Sequence, residues 1–149
     1  MNVYKDETMK EQIIKRMQFD NPWWVSGSIP NDYKSMQHRL YLDTFMPMVA
    51  DVSTRRGVIL MGPRRVGKTV MIFHTIEELI KNGVPAQKII YLSIDTPIYN
   101  NISLEDLLQL ARESLKQSGA SMDGYFVFYD EIQYLKKATA TGRRLVWAS

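Results

Sequence analysis

The segment Gly62-Pro63-Arg64-Arg65-Val66-Gly67-Lys68-Thr69 fits the pattern G-x-x-x-x-G-K-[ST] at every fixed position. The chemistry that needs this spacing is the holding of a phosphate chain. Glycines let the loop curl so that successive backbone N–H groups point inward, and a helix beginning at its end adds a positive dipole terminus. Lys68 is then the residue that bridges the β- and γ-phosphates, and the Thr69 hydroxyl is a ligand for magnesium. Val70, next in the chain, completes the expected nucleotide-binding set of Gly62, Pro63, Arg64, Arg65, Val66, Gly67, Lys68 and Thr69. Within it, Arg64 reads more simply as solvent-facing loop charge. Arg65 is open between that and added positive potential over the phosphates.

Such a site needs a second part, a carboxylate at the carboxyl end of a neighbouring buried strand. Asp130 follows the run Tyr125-Phe126-Val127-Phe128-Tyr129 and takes that place, with the expected task of holding magnesium through its hydrated shell. Glu131 comes next and is positioned to polarise an attacking water as a general base. The plainer alternative is an acidic pair that merely ends a strand in a surface turn; the intact phosphate loop weighs against it. Lys68 and Glu131 are thus the expected catalytic residues, and Thr69 and Asp130 the expected metal ligands. A GTPase would show Asp-x-x-Gly here. The chain has Asp130-Glu131-Ile132-Gln133, and no Asn-Lys-x-Asp guanine signature accompanies it. Small-molecule kinases are disfavoured on the same residues, less strongly.

The elements that must position these groups follow from hydrophobic pattern. Val58-Ile59-Leu60-Met61 is a short continuous apolar run, as a strand buried on both faces should be. A helix is predicted from Lys68 to Asn82, with Val70, Phe73, Ile76 and Ile80 on overlapping faces, a Glu77–Lys81 pair and an Asn82-Gly83 stop. Ile89 to Ile94 is the second strand. Ser103-Leu104-Glu105-Asp106 resembles a capping box, and Leu104, Leu107, Leu108, Ala111 and Leu115 carry a helix onward. Residues 125–129 form the third strand. Strand–helix–strand–helix–strand is a pair of crossover units and predicts the α/β class, a parallel sheet covered by helices.

Ahead of this core lies a region of different texture. Met9, Ile13 and Met17, with Ile14 beside them, make one apolar stripe on a helix from about Lys5 to Phe19, which Asn21-Pro22 ends. Trp23-Trp24-Val25 and a loop from Ser26 to Pro30 follow, then a second helix over Tyr33 to Val49 with a break near Pro47. The expected organisation is a helical N-terminal region, residues 1–50, and a phosphate-loop core, residues 51–149, incomplete after about residue 136.

Composition fits this class and excludes others. The chain has 149 residues, 45% of them hydrophobic and 23% charged, enough for one domain with its own core. Absence of cysteine excludes a disulfide framework, a thiolate metal site and a cysteine nucleophile. A net charge of +3 permits phosphate-bearing ligands without demanding nucleic acid. No secretory pattern or membrane-length apolar run is visible, so no membrane partner and a cytoplasmic location are expected.

The phosphate loop, the Tyr91-Leu92-Ser93-Ile94-Asp95 strand and the run Phe128-Tyr129-Asp130-Glu131-Ile132-Gln133-Tyr134-Leu135-Lys136 together resemble a prokaryotic AAA-type ATPase family. It is the group of uncharacterised ATP-binding proteins commonly followed by a C-terminal domain of unknown function. Asn21-Pro22-Trp23-Trp24 resembles the N-terminal segment of one branch, so the likeness spans about residues 15–136. The resemblance implies an ATP-binding core of the AAA/ASCE-like P-loop NTPase fold, with ATP, ADP and magnesium as ligands and ATP hydrolysis as activity. Bound nucleotide would then drive a conformational switch, with a homo-oligomer or a protein as partner. Family members place a sensor strand between the phosphate-loop strand and the Asp-Glu strand. Residues 137–149 do not follow the family pattern. Arg143 to Ser149 could be a strand ending in a polar sensor residue, but the connection from Lys136 is shorter than the dozen or so residues a parallel crossover needs. A truncated or altered end is therefore expected. On that expectation runs 58–61 and 125–129 lose a shared neighbour, leaving unpaired backbone groups prone to self-association and a poor ATPase.

Two alternatives stay open: a nucleotide-binding fragment without turnover, and a nucleic-acid-interacting ATPase using the Arg55-Arg56, Lys136-Lys137 and Arg143-Arg144 doublets. Trp23 and Trp24 are expected to anchor the N-terminal segment, with adenine stacking the sharper alternative. Tyr99 is a loop residue beyond a strand end that could face the site. Asp95 is divided between loop hydrogen bonding and a role near the reacting water, and His74 is expected to be a packed helical residue.

Overall fold

A computed structural model describes residues 7–36, 46–47, 56–60, 67–116, 125–131 and 144–148, the segments 56–60 and 144–148 through their backbone. Gly62, Pro63, Arg64, Arg65 and Val66 of the phosphate loop lie outside the described residues, as do Arg55, Arg143 and the Lys136-Lys137 doublet.

The apolar stripe near the N-terminus produces helix α1, Glu7–Asp20, with Ile13 and Met17 fully buried. Pro22 leads straight into a helical turn, which the Trp23-Trp24-Val25 run does not announce by periodicity. Its φ of −63° is already helical, and the single turn α2, Trp23–Ser26, starts directly after it. Gly27, at φ 73°, closes that turn by donating its N–H to the Trp23 carbonyl, a left-handed conformation that suits glycine. The helix expected over Tyr33 to Val49 is also shorter at its start. Helix α3 is one turn, Asn31–Lys34, and Ser35 Oγ donates to the Asp32 carbonyl at 3.1 Å, diverting a helical acceptor to a side chain. Met46 and Pro47 are helical; the rest of that span lies outside the described residues.

Four strands make one parallel sheet: β1 Arg56–Leu60, β2 Ile89–Ser93, β3 Phe126–Asp130 and β4 Arg144–Ala148, in the order β2-β3-β1-β4. Helix α4, Lys68–Lys81, connects β1 to β2, and α5, Leu104–Ser114, connects β2 to β3. The predicted caps are present. Ser103 Oγ accepts the Asp106 N–H at the start of α5, and Lys81 pairs with Glu77 at 3.1 Å near the end of α4.

Two expectations are corrected here. The first and third apolar runs do not lose their neighbour: Val58 lies opposite Phe128 and Ile59 opposite Tyr129, so β1 and β3 satisfy each other's ladder directly. The end of the chain also forms a strand. β4 pairs along the other side of β1, from Arg56 opposite Arg144 to Leu60 opposite Ala148. The connection into β4 starts at Glu131 rather than at Lys136, because β3 ends at Asp130. Residues 131–143 therefore supply the dozen or so residues that a parallel crossover needs.

β2 is an edge strand, and its outward ladder groups are taken by side chains from the N-terminal segment. Asn21 is fully buried and uses its amide as a strand would. Its Oδ1 accepts the Tyr91 N–H at 2.7 Å, and its Nδ2 donates to the Tyr91 carbonyl at 3.0 Å and to the Met17 carbonyl at 2.7 Å. The indole N–H groups of Trp23 and Trp24 both donate to the Ile89 carbonyl, at 2.9 and 2.7 Å. Phe73 of α4 ties these parts together. Its ring lies 5.7 Å from Trp23, 4.4 Å from Tyr33 and 5.0 Å from Tyr91, in tilted and edge-on arrangements that aromatic rings favour. Helix α1 packs along α5 and β2, so the N-terminal helices and the sheet share one core.

Candidate functional site

Parallel strands bring the carboxyl end of β3 beside the connection that leaves β1, where α4 begins. Gly67, at φ 76°, is the N-cap of α4, and its carbonyl accepts the Met71 N–H at 3.0 Å. A left-handed backbone at this position costs a glycine nothing. Lys68 and Thr69 occupy the first turn, and their side chains meet the end of β3. Lys68 Nζ lies 3.0 Å from Glu131 Oε1 and 3.3 Å from Asp130 Oδ1, all three side chains being under a tenth exposed. Thr69 Oγ1 donates to Asp130 Oδ2 at 2.8 Å.

The cluster is charged, buried and uneven. One ammonium faces two carboxylates, and Asp130 Oδ1 is buried without an aligned hydrogen bond. Buried ions are tolerated only when paired closely, so leaving the Lys68 ammonium without any carboxylate would be costly. Glu131 carries a further mark: its φ is 58°, a left-handed conformation uncommon outside glycine. A residue held this way stores about 1–3 kcal/mol of strain and persists where its surroundings fix it, often at a functional position. Here its carboxylate is fixed by Lys68.

Magnesium needs hard oxygen ligands and is usually held by one or two carboxylates together with substrate phosphates and waters. The Thr69 hydroxyl and the Asp130 carboxylate supply such oxygens 2.8 Å apart, and the orphaned Asp130 Oδ1 adds an acceptor with spare capacity. The residues therefore fit the ion. Among the described residues no group of three His, Cys, Asp or Glu side chains converges, which a phosphate-assisted magnesium site does not require.

A contributor that the sequence did not single out is Tyr91. Its phenol donates to Asp130 Oδ2 at 2.8 Å, the same oxygen that Thr69 uses. Burial, reinforced by the neighbouring Asp130 charge, pushes the phenol well above its ordinary range, so it stays a donor. The signal was present in the alternation of β2. Tyr91 lies opposite Phe128 in the ladder, on the face that also carries Asp130 two residues on, and a tyrosine spans that distance. Asn21 was likewise legible only as a helix stop.

The remaining candidates fall elsewhere. Trp23 and Trp24 are buried with both indole N–H groups bonded to Ile89, the anchoring arrangement rather than a stacking platform. His74 is buried, and its Nε2 donates to the Tyr33 carbonyl at 2.7 Å, joining α4 to α3. Asp95 Oδ1 accepts from Ser93 Oγ at 2.6 Å, a bond within the loop. Tyr99 is buried, with a hydroxyl that has no hydrogen-bond partner among the described residues; burial and the nearby Asp20 push its phenol up. Val70 follows Thr69 in the first turn of α4, half-buried.

The sequence profile of the AAA domain matches residues 54–147, more than half of the chain. Comparison with curated proteins and with solved structures gives no match. The matched span runs from just before β1 to Trp147 in β4 and includes the whole phosphate-loop segment and the Asp130-Glu131 pair. The chain belongs to the AAA domain family.

Proposed function

We propose that this AAA-family chain binds ATP with magnesium at the loop 62–69 and the end of β3, and that bound nucleotide drives a conformational switch coupled to hydrolysis. The observation that carries the reading is the meeting of Lys68, Thr69, Asp130 and Glu131 in one buried cluster at the start of α4. No structural need explains two adjacent carboxylates sharing one buried lysine, since an apolar cluster of the same volume is generally no less stable.

Each residue has a definite part in this reading. Backbone N–H groups of the phosphate-loop segment ahead of α4 receive phosphate oxygens in this reading. Lys68 leaves its present ion pairs to contact the β- and γ-phosphates, which frees Glu131 to accept a proton from the attacking water. Thr69 keeps its hydroxyl proton on Asp130 and turns its lone pairs outward. Magnesium, when bound, neutralises charge that develops between the β- and γ-phosphate oxygens. The Lys68–Glu131 pair thus makes the resting site self-closed, and exchange of the lysine's partner is the switch.

A second reading, nucleotide binding with little turnover, has its own support. β1 is paired on one side with β3 and on the other with β4. No strand lies between β1 and β3, the place where the family resemblance puts a sensor residue near the γ-phosphate. Each missing donor of that sort costs about a hundredfold in rate. Calorimetric titration with ATP and magnesium tests the shared part of both readings. Wild type should bind and Lys68→Ala should lose most of that affinity; folded wild type with no magnesium-dependent heat would refute both. Phosphate release then separates them.

A further inference from the structure

We propose that Tyr91 is a positioning residue for the divalent cation: its phenol holds one oxygen of Asp130 so that the other faces the metal. The inference rests on the ATP–magnesium reading of the site and adds a residue from outside its motifs. Asp130 Oδ2 receives two donors, Thr69 Oγ1 and Tyr91 OH, each at 2.8 Å. Oδ1 has no aligned hydrogen bond and only Lys68 Nζ at 3.3 Å. A carboxylate with one oxygen doubly held cannot rotate without losing both bonds, and its other oxygen, ion-paired here with Lys68, becomes available when that lysine turns to phosphate. Partners of this kind, one step removed from the ion, orient ligands and tune affinity.

Tyr91 is itself fixed with unusual completeness. Asn21 holds its backbone N–H and carbonyl, and Phe73 packs its ring at 5.0 Å. Position therefore passes from the N-terminal segment through β2 to the metal ligand.

The test is a magnesium titration of binding by a non-hydrolysable ATP analogue, repeated in EDTA, for wild type, Tyr91→Phe and Asp130→Asn. Phenylalanine preserves the ring and its packing. Tyr91→Phe should raise the half-saturating magnesium concentration about tenfold and leave affinity in EDTA unchanged. Identical magnesium midpoints in wild type and Tyr91→Phe would overturn the proposal, as would an equal loss with and without metal, which would mark a general packing role. If Asp130→Asn shifts the midpoint while Tyr91→Phe does not, the positioning role fails and the ATP–magnesium reading survives. If wild type shows no magnesium-linked binding, that reading fails and takes this proposal with it.

Discussion

Two hydrogen-bonded regions flank β2 and β3, and they are built on opposite principles. Along the outer edge of β2, Asn21, Trp23 and Trp24 bond neutral donors and acceptors to the backbone of Ile89 and Tyr91. At the carboxyl end of β3, Lys68 is shared between two carboxylates, Asp130 Oδ1 has that ion pair but no aligned hydrogen bond, and Glu131 is held left-handed. The first region satisfies every group it recruits, which is how buried polar atoms add to stability. The second keeps charge imbalance and strain that an apolar arrangement would avoid. Residues that only hold the fold settle into the first kind of arrangement, whereas a site that must exchange partners is kept in the second.

The comparison is broken most severely by Trp23→Ala. Its side chain is fully buried, and loss of such a residue costs about 3–5 kcal/mol through the cavity it leaves. Urea unfolding should show a large drop in midpoint, against a total stability of only about 5–15 kcal/mol. Asn21→Ala comes next. It strands the Tyr91 N–H and carbonyl at the edge, and a loss of about 2–3 kcal/mol is expected in the same measurement. A negligible change would mean water replaces the amide and the edge is not closed by Asn21.

High pH gives a smaller effect of predictable sign. Burial and Asp130 raise the Tyr91 phenol above its ordinary value of 10.0, so above that pH the unfolded chain releases a proton the native state keeps. Stability is then full below pH 10 and falls as pH rises beyond it, by about 1.4 kcal/mol per unit for this group. Tyr91→Phe should flatten that slope, leaving the share of Tyr99, whose phenol is raised for the same reason. Thermal unfolding followed between pH 9 and 11 checks it.

The smallest expected change in stability belongs to Glu131→Gln, and it sharpens the contrast. Removing one of two carboxylates that compete for Lys68 leaves a balanced Lys68–Asp130 pair, so the unfolding free energy should change by less than about 1 kcal/mol. Nucleotide binding should persist while phosphate release disappears. A loss as large as that of Asn21→Ala would make Glu131 a structural residue and dissolve the distinction between the two regions.

Much of this was legible in the sequence, unevenly. The periodic elements α1, α4, α5, β2 and β3 lie close to their predicted bounds because burial and capping act on neighbours in the chain. The phosphate-loop spacing and the Asp130-Glu131 strand end named the clustered residues, since parallel topology obliges those two places to meet. Strand order was not legible. Whether β3 lies directly beside β1 depends on long-range pairing, and the last strand is discounted when the connection into it is counted from Lys136 rather than from the end of β3 at Asp130. The N-terminal turns were blurred for another reason: Pro22 and Ser35 act through one backbone angle and one side-chain bond, which hydrophobic periodicity does not register. Asn21 and Tyr91 escaped notice because their partners are 70 residues away.

That separation also sets an order of events during synthesis. Trp23 and Trp24 emerge from the ribosome well before Ile89, 66 and 65 residues later, whose carbonyl receives both indoles. At typical elongation rates the interval is roughly 3–13 s, far longer than local helix formation. During that time Ile13 and Met17, fully buried in the folded chain, lack the β2 and α5 surfaces that cover α1. Docking of the two indoles onto β2 ends the exposure, and their fluorescence would time it.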